Sequence, residues 1–171
     1  MKKILIIIFI CFFPFNYSLA DTPYFLDFKM ILNESTAGKK AQTYLKNKLD
    51  KGFKDLNSKK DKILDEEKKI VQQKKVISNE EYKKKISELR STVSSLQKER
   101  NTLIESVAKQ RAKAKSELLK NLNPIVKNYM KEKKIRMVVD KKNVLLADEN
   151  LDITKDIITL LNQKLKSIKL N

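Results

Sequence analysis

The chain runs to 171 residues, 35% of them charged, and its 38 lysines and arginines against 21 acids give a formal net charge of +17. It holds no histidine, no tryptophan, one cysteine and two glycines. That excludes histidine-based acid–base and metal chemistry, a disulfide framework and a glycine-rich phosphate loop, so an enzyme is the least expected class and no cofactor is expected.

Met1-Lys2-Lys3, the apolar run Ile4 to Phe13 and the small residues Ser18 and Ala20 read as a signal peptide spanning residues 1–20, cleaved after Ala20. The apolar run is shorter than the roughly 20 residues that a membrane-spanning helix needs. Cys11 leaves with the signal, so the mature chain forms no disulfide and a soluble periplasmic or secreted protein is expected. The mature chain of 151 residues keeps a net charge of +15. Its few glycines and prolines and its many charges suit a helix-rich, extended shape, and an extended monomer would bury too little surface, so oligomerisation is expected.

Tyr24 to Phe28 is short and aromatic behind the turn-favouring Asp21-Thr22-Pro23, and reads as a strand. Lys29 to Asn33 reads as a first helical turn ending near Glu34-Ser35. Ser35 or Thr36 then caps a long helix, and Gly38 permits a bend at its root.

Residues 39–122 contain no proline, one glycine (Gly52), and 24 basic against 12 acidic side chains, a net of +12. The positive field therefore belongs to this stretch, although 34 of the 38 basic residues are lysine, a bias that an AT-rich genome also produces. Leu49, Leu56, Ile63, Ile70 and Ile77 recur every seventh residue, as in a coiled-coil seam. Their companions Leu45 and Phe53 give way to Lys60, Glu67 and Lys74, so only half the seam stays apolar toward the far end. Ser78-Asn79-Glu80-Glu81 has the form of a capping box and starts a second helix. That helix carries Ile86, Leu89, Val93, Leu96, Leu103 and Val107 on the same beat, with Arg100 interrupting it. Two arms of roughly 40 residues fold back on each other into a hairpin about 60 Å long. Around its tip, Lys68, Lys69, Lys74, Lys75, Lys83, Lys84 and Lys85 face only Glu80 and Glu81. Such a run is either a solvated face or a contact surface for anionic partners.

Asn123-Pro124 is expected to end this pattern and begin a new short helix. Ile135 to Val139 reads as a strand, Asp140 to Asn143 as a tight turn and Val144 to Ala147 as the hairpin partner. Thr154 is placed to cap a last helix bearing Ile157, Ile158, Leu161, Leu165 and Ile168 on one face. The fold class is α+β, mostly α: residues 39–122 form a helical hairpin, and residues 21–38 and 123–171 form a small β-containing body. Three short strands are too few for a stable sheet, which sharing among subunits would complete.

Several segments resemble the Skp (OmpH) family of periplasmic chaperones for outer-membrane proteins. They are Leu26-Asp27, Asn33-Glu34-Ser35, Ala37-Gly38-Lys39-Lys40-Ala41 with Leu45, Ile135 to Asp140, and Asp152-Ile153-Thr154. The resemblance implies a homotrimer whose strands form a body, with Leu26, Phe28, Met137, Val139, Val144 and Leu146 in its core. Three hairpins would hang from that body as tentacles around a cavity holding an unfolded outer-membrane protein without ATP. Anionic lipid or lipopolysaccharide is a further candidate partner, though no lipopolysaccharide site is carried over residue by residue. The first strand departs from the family in its aromatic Tyr24, Phe25 and Phe28. Two other classes compete. One is an envelope-assembly coiled coil without a client. The other, a nucleic-acid binder, is disfavoured by export, by the shortage of arginine and by the lack of a stacking platform.

Overall fold

The structure, a computed structural model, describes residues 22–170. The signal peptide and its cleavage point lie outside the described residues, apart from the chain following from Thr22. The order is β1 (Tyr24–Leu26), α1 (Phe28–Glu34), α2 (Thr36–Gln73), α3 (Asn79–Lys133), β2 (Val138–Asp140) and α4 (Thr154–Lys164), with short 3-10 turns at Lys141–Asn143 and Glu149–Leu151. Among the described residues, no helix is long and apolar enough to cross a membrane.

Local chemistry sets the boundaries. β1 stops at Leu26 rather than Phe28 because the Asp27 carboxylate accepts the amide of Met30 at 2.7 Å and caps α1. Ser35 closes α1 and opens α2, its hydroxyl accepting the Gly38 amide at 3.2 Å. The first free donor of α2, the amide of Thr36, is taken by Asn162 of α4 at 2.7 Å. A side chain on Gly38 would meet the Leu32 carbonyl at 2.1 Å, so glycine is required here for the close approach of α1 to α2. At the far end Ser78 caps α3 by accepting the Glu81 amide at 3.2 Å, as the capping-box spacing predicts. α3 ends at Lys134, at φ 57°, where the Ile135 amide reaches back to the Met130 carbonyl at 2.8 Å.

Pro124 and the segment after Asn143 depart from expectation. Pro124 does not break the chain into two helices, because α3 runs through it. Leu118, Leu122 and Ile125 stay on one buried face while Pro124 lies on the exposed one, so continuous core burial on both sides offsets the roughly 3 kcal/mol that an interior proline costs. Nor do Val144 to Ala147 form a hairpin strand. Asp140 accepts the Lys142 amide at 3.1 Å and winds the chain into a 3-10 turn, after which Leu145 and Leu146 are 95% and 92% exposed.

The sheet therefore has two strands, β1 and β2, paired in parallel with Tyr24 opposite Val138 and Leu26 opposite Asp140. An isolated bridge, Phe25 to Asp152, takes the remaining pairing of β1, where the Ile153 amide donates to the Phe25 carbonyl at 3.0 Å. So small a sheet is stable only against helices. Leu26, Ile31, Leu118, Leu122, Ile125, Ile153, Ile157 and Leu161 supply that core, which joins β1, α1, the last part of α3 and α4. α4 ends at Lys164 rather than continuing through Ile168. Leu170, 5% exposed, instead packs against the base of the hairpin, where its carbonyl accepts from Gln110 at 2.7 Å.

Candidate functional site

α2 and α3 are antiparallel: Lys48 reaches Ser106 and Gln110, both at 2.9 Å, while farther out Lys59 meets Glu99 at 2.5 Å. Heptad repetition produces this geometry, since each arm presents one apolar stripe that only the other arm can cover. The stripe is buried in two separate clusters. At the root Ala41, Leu45, Val107 and Ala114 pack with Leu49, Leu103 and Ile168. Near the far end Ile63, Ile70 and Leu89 pack with Tyr82, Ile86 and Leu96.

The expected outward thinning of the seam is thus replaced by a break in the middle. There Leu56 is half-buried and lines a shallow cleft with Gly52 and Leu103, bridged by the Lys59–Glu99 pair. Leu103 lies so close to the bare backbone of Gly52 that an added side-chain carbon would be 2.4 Å from it. Lys60, Glu67, Lys74 and Arg100, the polar seam positions, are all exposed. Of the remaining seam residues, Ile77 is half-buried and Val93 is 49% exposed; neither joins a cluster.

The tip lysines gather at the turn as the hairpin requires. Lys68 pairs with Asp65 at 3.5 Å, Lys85 with Glu81 at 4.0 Å, and Lys74 stands over the Tyr82 ring at 5.6 Å. Lys69, Lys75, Lys83 and Lys84 are exposed, and no ion pair holds them among the described residues. Apolar side chains are interleaved with this charge: Leu64 is 42%, Val71 57% and Val76 79% exposed. The far end of the hairpin is therefore a cationic surface with scattered apolar contacts.

In the body, Leu26 is buried and Phe28 packs beside it. Val139 and Val144 are half-buried, whereas Met137 is 57% and Leu146 92% exposed. These six residues do not form one core within a single chain.

A polar knot ties the body together, and Thr154 belongs to it instead of capping α4, whose cap position is Ile153 without a side-chain cap bond. Thr154, 1% exposed, accepts the Asp27 amide at 2.8 Å and donates to Asp152. Asp152 also accepts the Thr154 amide and the Lys141 ammonium, each at 2.9 Å. Burial alone would raise the Asp152 pKa, but the hydrogen bonds from Thr154 and Lys141 outweigh it and hold the carboxyl below its ordinary value. The same bond to Asp152, with its charge, raises the Lys141 pKa. Asp152-Ile153-Thr154 carried the signal for this knot, but the partners Asp27 and Lys141 are distant in sequence and nothing in the spacing links them.

A long antiparallel hairpin standing on a small sheet-and-helix body defines a tentacle-bearing class of protein. Within that class the chain belongs to the outer membrane protein (OmpH-like) family, whose model matches residues 24–161. Its fold is similar to the crystal structure of a protein from Caulobacter crescentus CB15 described as a candidate outer membrane chaperone (OmpH-like). The TM-score is 0.80 at 19% sequence identity, covering 86% of this chain and 89% of that one. No curated protein matches the chain.

Proposed function

We propose that the protein is an ATP-independent periplasmic holdase that binds unfolded outer-membrane β-barrel proteins between its hairpins and prevents their aggregation before insertion. Family membership supports the chaperone role, and one observation carries the mechanism: the far end of the hairpin offers exposed lysines interleaved with exposed Leu64, Val71 and Val76. An unfolded barrel strand alternates apolar and polar residues, so scattered apolar contacts and a diffuse positive field hold it without selecting a sequence. Holding the unfolded chain opposes its aggregation by mass action. No catalytic step enters this scheme.

The hairpin needs neighbours to enclose anything. The body leaves Met137, Leu145 and Leu146 exposed, apolar side chains that further copies of the chain would cover in a homotrimer.

Light scattering of a diluted, unfolded barrel protein tests the proposal. One trimer or more per client suppresses scattering at low salt. Raising ionic strength toward 1 M, where the Debye length falls to about 3 Å, weakens that suppression, as does replacing Lys69, Lys75, Lys83 and Lys84 by glutamine. Suppression indifferent to both changes removes the electrostatic part, and no suppression at all leaves only a structural role in the envelope.

A further inference from the structure

We infer that the root of the hairpin holds a site for a single aliphatic chain ending in a carboxylate. A groove of about 660 Å³ opens there between α2 and α3. Leu45, Leu49, Val107 and Ile168 make it apolar, together with the small residues Ala41 and Ala114. Three cations line the same groove, Lys46, Arg111 and Lys115, and no aspartate or glutamate does. Among the described residues Lys46 and Arg111 have no ion-pair partner, while Lys115 leans over the Phe28 ring at 5.9 Å.

Of the polar groups beside them, Gln42 makes no demand on a ligand. Gln42 donates to the Leu32 carbonyl at 3.1 Å and to Asn33 at 2.6 Å, so those groups are satisfied within the chain. What the groove leaves open is the half-buried apolar surface of Leu32, Leu49 and Ile168 beside positive charge, the complement of an amphiphilic anion.

Shape and backbone chemistry choose between anions. Both walls are helices whose amides and carbonyls are already paired, so an extended peptide seated there would bury its own N–H and C=O groups without partners. An aliphatic chain brings none. From Gly38 to Leu49 α2 rises about 16 Å, the length of a medium fatty acid rather than of a bulky multi-chain lipid. The site lies in the root cluster, apart from the tip lysines, and is independent of the client-holding proposal.

Titration of the purified protein with dodecanoate below its micelle concentration, followed by methyl NMR, tests the inference. The methyl signals of Leu45, Leu49 and Val107 shift saturably with one ligand per chain, while those of Ile70 and Leu89 in the far cluster do not. Lys46 and Arg111 are exposed, so the double variant Lys46→Glu, Arg111→Glu keeps its fold and binds about tenfold or more weakly, as expected when charge-assisted contacts are lost. Dodecyltrimethylammonium, with the same tail and the opposite head, does not compete. The inference is overturned by an absence of saturable binding, by equal shifts in both clusters, by an affinity unchanged on charge reversal, or by the root methyls answering an unfolded barrel segment while ignoring dodecanoate. Suppression of barrel-protein aggregation, measured on the same samples, reports separately on the holdase reading.

Discussion

Replacing Thr154 by valine keeps the shape of a side chain that is 1% exposed and deletes only its hydroxyl. The Asp27 amide, bonded to that hydroxyl at 2.8 Å, is then left without a partner, and the Asp152 carboxylate loses one of its donors. An orphaned buried donor costs about 1–3 kcal/mol and a bond to a charged group is worth about as much, so with partial relaxation the loss is about 2–4 kcal/mol. For a chain of this size that lowers Tm by about 5–15 °C. Differential scanning calorimetry measures it, with Thr159→Val as control: that hydroxyl bonds only the Lys155 carbonyl within its own exposed helix face, and its loss stays within about 0.5 kcal/mol. The pH dependence carries a sign. The folded pKa of Asp152 is depressed, so its share of stability is present above the unfolded carboxylate value of about 3.9 and is lost as pH falls through the lower folded value. The gap between the native protein and Thr154→Val therefore narrows in acid. Equal Tm values for Thr154→Val and Thr159→Val would refute the knot.

Pro124→Ala restores a backbone donor inside the C-terminal part of α3 and is expected to raise stability by up to about 3 kcal/mol, seen as a higher urea midpoint; no change would mean that the helix is interrupted there. Gly38→Ala forces a carbon to within 2.1 Å of the Leu32 carbonyl and should destabilise by about 1–3 kcal/mol or more in the same assay. Tyr129 donates to Asp156 at 2.5 Å, and burial, followed by the bond to Asp156 and its charge, pushes the phenol up to about 12. Its contribution is thus full below the ordinary value of about 10 and disappears as pH rises toward the folded one. Ultraviolet titration should show one late-ionising phenol that is missing from Tyr129→Phe.

The long elements were legible because their signals are local and repeated. Ser35 and Ser78 cap the helices that their spacing announces, and Ile63 and Ile70 of the seven-residue beat reappear on the buried face of α2. Pro124 was misjudged because its penalty is local, whereas the core that overrides it comes from α1 and α4. Val144 to Ala147 has the composition of a strand, yet the Asp140 carboxylate winds the preceding residues into a 3-10 turn instead of the tight turn that would fold them back on β2. The root groove was invisible because no short-range pattern reveals it. Lys46 and Arg111 are two lysine-rich-stretch cations among many, and only the folded hairpin, with the tail at Ile168, sets them beside one apolar floor.

The central claim is that several hairpins enclose one unfolded client. Native mass spectrometry of the mature protein, alone and after dilution of an unfolded barrel protein into it, tests that most directly. The account predicts three copies of the chain in the free protein and three copies with one client in the complex. A monomer that stays a monomer, or a trimer that never acquires the client, would contradict it.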